Sequence, residues 1–218
     1  MNILTNEIVF PDPHGADPDG LLAVGGDYSV ERMLLAYNHG IFPWGKYKGT
    51  ILWYALNPRM VVFPEKYKPN HGLRHVLKNC PYKVTINACF EKVITHCARV
   101  KRKEKGSWID KDYRKAFIEL HKLGFALSVE SWLDDELAGG LYGILAGTGF
   151  TGESMFTLHP DASKIAFHHL VMLARQLEWK FIDAQQDTPL FRSLCGELVP
   201  FSEFYTLLTG MDPLSDQE

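Results

Sequence analysis

Between Phe125 and Ser154 the chain reads as three successive strands joined by short turns. Phe125, Leu127, Val129 and Leu133 fall on one side of a period-two repeat, the spacing that puts side chains on one face of a strand. Asp134-Asp135-Glu136 supplies a turn, and Leu137–Ala146 and Thr148–Ser154 continue as strands. A meander of this kind has to bury a face, so helices must pack on it. The flanking sequence offers them. Asn87 is placed to cap a helix with Phe90, Val93, Ile94 and Cys97 on one face. Asp110 is placed to cap a second, with Tyr113, Phe117 and Leu120 on its face and Gly124 at its end. Asp161 opens a long helix running to about Glu178. Tyr82–Ile86 and Lys180–Gln185 read as further short strands. The expected class is α+β, one central sheet with helices packed on it.

Residues 7–58 have a different texture, with five prolines and seven glycines scattered through them. One short helix fits there: Ser29 can cap it, Val30, Met33, Leu34 and Tyr37 form its stripe, and Gly40 can end it. The expected organisation is a small α/β subdomain over 1–58 and a larger domain over 59–218. Composition is that of an ordinary folded chain, 46% hydrophobic and 22% charged over 218 residues, which excludes disordered and disulfide-scaffold classes. No apolar run reaches the ~18 residues of a membrane span. The N-terminus lacks a basic region and a long apolar stretch, and Cys80, Cys89, Cys97 and Cys195 suit a reducing compartment. The expectation is a cytoplasmic protein without membrane partners.

Charge is unevenly spread. From Arg59 to Lys115 there are 15 Lys/Arg against 5 Asp/Glu, whereas the remainder carries 8 against 21. The densest basic run is Arg99, Lys101, Arg102, Lys103 and Lys105. Such a patch concentrates polyanions through phosphate contact and counterion release, although a solvated helix end followed by a lysine-rich loop would look the same. The acidic remainder favours a cationic second ligand.

Several motifs fail on inspection. Gly40-Ile-Phe-Pro-Trp-Gly-Lys46-Tyr47 nearly matches a phosphate loop, but Tyr47 stands where a small hydroxyl residue should bind magnesium, and Pro43 removes an amide. Gly152-Glu-Ser154-Met-Phe156 resembles a nucleophile elbow but has Phe156 where the sharp turn requires glycine. With His168 or His169 and Asp183 it still leaves a serine triad on paper. His71 and His75 have i, i+4 spacing without an intervening acid, and there is no Cys-x-x-Cys, so no metal is expected. A coenzyme A acyltransferase needs a glycine-rich turn feeding a helix, and Gly139-Gly140 and Gly147-Thr-Gly149 sit in strands instead.

Three polar segments survive: Gly152-Glu153-Ser154-Met155, Ile182-Asp183-Ala-Gln185 and Gly106-Ser-Trp108-Ile. Strand period puts Asp183 and Gln185 on one face, about 7 Å apart at Cα. Glu153, at the end of another strand, would complete an acidic pocket for a cation, unless these are ordinary polar strand ends. Trp44 and Trp108, one in the Pro/Gly-rich segment and one after the basic run, suit stacking on unpaired bases, or simply anchor their loops.

Read in order, Gly20-Leu-Leu-Ala-Val-Gly-Gly-Asp27, Gly40-Ile-Phe-Pro-Trp44, Ile51-Leu-Trp-Tyr54, Gly106-Ser-Trp108-Ile, Gly139-Gly-Leu-Tyr-Gly143, Gly152-Glu-Ser-Met-Phe156, Ala162-Ser-Lys164 and Asp183-x-Gln185 closely resemble the leucyl/phenylalanyl-tRNA–protein transferase family, from about Phe10 to Tyr205. The resemblance implies a larger domain with an acetyltransferase-like (GNAT-like) core. It implies transfer of Leu or Phe, with Met as a further candidate, from Leu-tRNA or Phe-tRNA to proteins beginning with Arg or Lys, the step that marks them for N-end rule degradation. No cofactor and no ATP are implied, because an ester is already activated, and the expected state is a monomer. It further implies that Trp44 and Trp108 hold the terminal adenosine and that Asp183 and Gln185 are catalytic. Tyr37, Glu153, Ser154 and Met155 would line the substrate site, with Glu153 and Met155 near the incoming N-terminus.

The donor side chain needs an apolar pocket, for which Leu141, Leu170 and Ile182 are the candidate linings. The family resemblance leads one to expect bulkier aromatic residues near Leu170 and Ala174, and a tyrosine near Phe117. In the expected chemistry Gln185 orients the attacking amine and Asp183 stabilises the developing ammonium. A neutral amide is too weak a base to keep the proton, so the leaving 3′-oxygen collects it. The rival reading is a coenzyme-A-dependent N-acyltransferase.

Overall fold

The structure, a computed structural model, describes residues 2–100 and 108–210. Near the N-terminus β1 (Asn2–Leu4), β2 (Leu21–Gly25), β3 (Phe42–Tyr47) and β4 (Thr50–Tyr54) form a four-stranded sheet in the order β1-β2-β4-β3. Helix α1 (Val30–Asn38) lies between β2 and β3 in sequence. Its stripe is as expected, with Met33 and Tyr37 buried, but the Ser29 hydroxyl makes no capping bond. Ser29 instead donates its N–H to Asp27 at 2.8 Å. Gly40, with φ of +71°, lets the chain leave α1 close under the rings of Phe201 and Phe204, where a Cβ would lie 3.0 Å from Phe204. Residues 42–47, the near phosphate loop, are strand β3.

The second sheet has seven strands: β5 (Arg59–Val62), β6 (Lys83–Ile86), β7 (Ala126–Leu133), β8 (Glu136–Ala146), β9 (Gly149–Thr157), β10 (Ile182–Gln185) and β11 (Gly196–Val199), in the order β11-β5-β10-β9-β8-β7-β6. β7, β8 and β9 form the antiparallel meander read from the sequence. β10 runs parallel to β9 and antiparallel to β5, which makes the sheet mixed. Helices α2 (His71–Lys78), α3 (Phe90–Arg99), α4 (Lys111–Lys122), α5 (Ala162–Gln176), α6 (Pro189–Ser193) and α7 (Phe201–Thr209) complete the described chain.

Period two assumes one buried face, and here the sheet is covered on both. Six consecutive residues of β7, Ala126–Ser131, are buried. Ala126, Tyr142 and Ile144 pack with α3 and α4, whereas Leu127, Val129 and Leu141 pack with α5. Phe125, counted on the core face from its spacing, is 39% exposed because it precedes the strand. Helix α5 comes very close to β8: a Cβ on Gly139 would stand 2.7 Å from that of Ala162.

Two further capping expectations are corrected. α3 begins after Cys89, and Asn87 adopts a left-handed backbone (φ 59°) with its side-chain oxygen accepting from the Ser128 N–H at 3.0 Å. Asp161 precedes α5 but is itself left-handed and makes no cap; its carboxylate pairs with Lys164 at 2.7 Å. Asp110 does cap α4, accepting from the Tyr113 N–H at 2.9 Å. One hydrophobic core runs through both sheets, joining Met33, Tyr37, Phe42 and Trp53 to Val61, Phe117, Tyr142 and Phe204. Among the described residues no helix is long and apolar enough to cross a membrane.

Candidate active site

β9 and β10 pair only at Ile182↔Phe150 and Asp183↔Thr151. Beyond that point β9 continues to Thr157, while β10 shifts register against β5 between Asp183 and Gln185. Gln185 takes a left-handed backbone (φ 60°), so the plain period-two expectation for Asp183 and Gln185 does not hold. What joins them is a hydrogen bond, from the Gln185 N–H to Asp183 Oδ1 at 2.8 Å. The strands diverge around a cavity of about 350 Å³.

Its floor carries a buried polar network. Both oxygens of Asp183 are held by Arg59, from Nε at 2.9 Å and Nη2 at 2.7 Å. Arg59 also donates to the Gly40 carbonyl at 3.1 Å and lies between the rings of Phe42 and Phe204. Asp183 borders the cavity but has no accessible surface, and a fixed cation offsets its charge. In this arrangement the Asp183 carboxylate holds Arg59 and the Gln185 backbone N–H.

Glu153 lies within β9 and not at its end. Tyr37 donates to its Oε1 at 2.7 Å, Gln185 Nε2 to the same oxygen at 3.0 Å, and the Tyr113 hydroxyl to Oε2. Burial pushes the Glu153 carboxyl up to about 7, against the opposing pull of those donors. Burial, followed by the charge of Glu153, raises the Tyr37 and Tyr113 hydroxyls well above the usual phenol range, so both stay protonated donors. With its amide nitrogen on Glu153, Gln185 keeps its carbonyl oxygen available as an acceptor.

Trp44 and Trp108 line the mouth of the same cavity. Trp44 packs edge-on against Tyr54 at 5.3 Å, and Trp108 edge-on against Tyr113 at 5.0 Å. Ser154, Met155, Leu141, Leu170 and Ile182 also line it, as expected. Phe150, Phe167 and Phe191 add aromatic bulk beside Phe42 and Tyr142, and the sequence pointed to none of these three. Tyr37 is different: it stands behind Glu153, outside the lining, and so holds the carboxylate without touching the cavity. Arg59 and Tyr113 were also missed. A lone arginine in the apolar strand Arg-Met-Val-Val was the available signal for the first; Tyr113 was read only as a core position.

Of the basic run, Arg99 is exposed at the end of α3, beside a groove that shares Met155 with the cavity. Lys101, Arg102, Lys103 and Lys105 lie outside the described residues. Ser154 sits inside a continuous strand with no elbow, and Asp183 is committed to Arg59, so the paper triad does not assemble. His71 and His75 are exposed on α2.

The model of the leucyl/phenylalanyl-tRNA protein transferase family matches residues 61–209, and that of its N-terminal domain matches 26–56. The chain belongs to this transferase family. Leucyl/phenylalanyl-tRNA–protein transferases similar to it include those of Syntrophobacter fumaroxidans, 47% identical over 96% of this chain and 90% of that one. That of Neisseria meningitidis serogroup C is 44% identical over 95% and 90%. Solved structures with some likeness include a ribosomal-protein-alanine N-acetyltransferase from Brucella melitensis biovar Abortus 2308, with TM-score 0.38, 12% identity, and coverage of 51% of this chain and 84% of that one. A GCN5-related N-acetyltransferase-like protein from Streptococcus suis gives 0.36 and 13%, over 76% and 61%. Both of these likenesses are slight. For the leucyl/phenylalanyl-tRNA–protein transferase family member described here, the mixed sheet and its helices make the α+β class plain.

Proposed function

We propose that the protein moves Leu or Phe, with Met as a further donor, from aminoacyl-tRNA to the N-terminal Arg or Lys of an acceptor protein, in the cytoplasm, marking it for degradation. The observation that carries this reading is the convergence of Trp44, Trp108, Glu153 and Gln185 on one cavity with an apolar inner wall. Its volume of about 350 Å³ lies at the small end of the range for ligand sites. The indoles stack on the terminal adenosine. Leu141, Leu170, Ile182 and the three phenylalanines receive the donor side chain. A pocket of this kind separates donors by ~1–3 kcal/mol per methylene, so Leu, Phe and Met compete.

In the transfer step the neutral α-amine of the acceptor attacks the ester carbonyl. The C–N bond forms, the bond from carbonyl carbon to the 3′-oxygen breaks, and the amine proton passes to that oxygen. The Gln185 carbonyl oxygen orients the amine by accepting from it. Glu153 supplies the negative charge that draws in a cationic N-terminus, since Asp183 is matched by Arg59. A bound cation favours the ionised form of a carboxyl poised near neutrality. Arg99 and the lysines and arginines of 101–105 make the sequence-independent contacts with the acceptor stem.

The test uses purified protein, labelled Leu-tRNA and Phe-tRNA, and peptides beginning with Arg, Lys or Ala. Label should appear on the Arg and Lys peptides and not on the Ala peptide. Acetylation of the peptide from acetyl-CoA, without transfer from tRNA, would establish the rival acyltransferase instead.

A further inference from the structure

The two tryptophans come from different elements, one from a strand and one from the segment before a helix, and something must hold them at a fixed separation. Trp44 lies on β3 of the four-stranded sheet, and Trp108 stands just before α4, two residues from its cap Asp110. Beside Trp44, a Cβ on Gly45 would lie 3.6 Å from that of Trp108. A polar tie across this seam is Lys46, two residues beyond Trp44. Its Nζ lies 2.7 Å from Asp110 Oδ2 and 3.3 Å from Asp112 Oδ2, and 5.1 Å from the centre of the Tyr28 ring. Tyr28 in turn packs edge-on against Tyr113, whose hydroxyl binds Glu153.

We propose that Lys46 is a positioning residue. By clamping β3 to the first turn of α4 it sets the gap between the Trp44 and Trp108 rings, and so the fit of the donor adenosine. This rests on the reading of the indoles as the adenosine site. Two carboxylates and an aromatic face surround one ammonium, and the Lys46 side chain is 24% exposed, more sheltered than a free surface pair. Hydrogen bonds and charge from Asp110 and Asp112 outweigh burial and raise the ammonium's affinity for its proton, while Lys46 helps to lower the Asp110 carboxyl. Asp110 already caps α4, so the lysine grips the helix where its frame is set.

The experiment compares wild type with Lys46→Met, which keeps the apolar stem and removes the charge, and with Lys46→Arg. Asp112→Asn serves as a second variant that weakens the clamp from the other side. Each is assayed with Leu-tRNA and with 3′-leucyl-adenosine, a donor that has no phosphates. Lys46→Met should raise the KM for both donors about fivefold, the scale of a sheltered ion-pair network. It should leave kcat and the KM for the acceptor peptide within about twofold, and Lys46→Arg should restore the donor KM. Asp112→Asn should move the donor KM in the same direction by a smaller factor. An effect seen with Leu-tRNA and absent with leucyl-adenosine would make Lys46 a phosphate contact and overturn the proposal. So would an unchanged donor KM, or a matching rise in acceptor KM. Absence of transfer by the wild type would fault the proposed function instead, which keeps the two readings separable.

Discussion

Glu153 is the side chain whose environment has the plainest thermodynamic consequence. Its carboxyl titrates near 7 in the folded protein, against an ordinary 4.5. Below pH 4.5 folded and unfolded chains both keep the proton. Between 4.5 and 7 the unfolded chain releases it and the folded chain does not, so stability falls as pH rises, by about 3 kcal/mol in all. This is the reverse of the usual carboxylate behaviour. Urea unfolding of wild type and Glu153→Gln from pH 4 to 8 should show the wild-type advantage shrinking across that window; a growing advantage would contradict the buried, uphill position of the carboxyl. Glu153, Asp183 and Gln185 were legible in the sequence as members of polar segments at strand ends or beside glycine. Their partners were not. A bidentate pair between residues 59 and 183 depends on how β5 and β10 lie side by side, and no local pattern carries that.

At the level of elements, the meander was legible because turn chemistry and strand length both marked it. Which faces it buried was not, since a strand covered on both sides shows no clean alternation. Caps were read less well than helix faces. Asp110 caps its helix, whereas Asn87 and Asp161 use left-handed backbone and bond elsewhere. A tight junction is that of β8 with α5 at Gly139. Gly139→Val should cost about 1–3 kcal/mol through overpacking, read as a lower urea midpoint. Gly15→Ala, with open space around it, should leave the midpoint nearly unchanged.

For the whole molecule, the four-stranded sheet ends at Tyr54 and the seven-stranded sheet begins at Arg59, yet the core does not stop between them. Phe42, Met33 and Tyr37 pack into the same cluster as Phe117, Tyr142 and Phe204. A chain of residues 59–218 alone would expose that surface and leave Arg59 without the Gly40 carbonyl. It should bind a hydrophobic dye strongly and lack a cooperative thermal transition. A sharp transition without dye binding would show that the larger part stands by itself.

The parting of β9 from β10 reaches further than the side chains it reveals. Where two neighbouring strands cease to pair, the ladder between them ends, and their peptide groups need partners other than each other. A guest held in that wedge would be met by main-chain groups, which a side-chain exchange other than to proline leaves in place. Exchanges at Ser154 or Ala184 could then be tolerated while the wedge keeps its grip, and altering the backbone angle at Gln185 would do more harm than altering many of the groups around it.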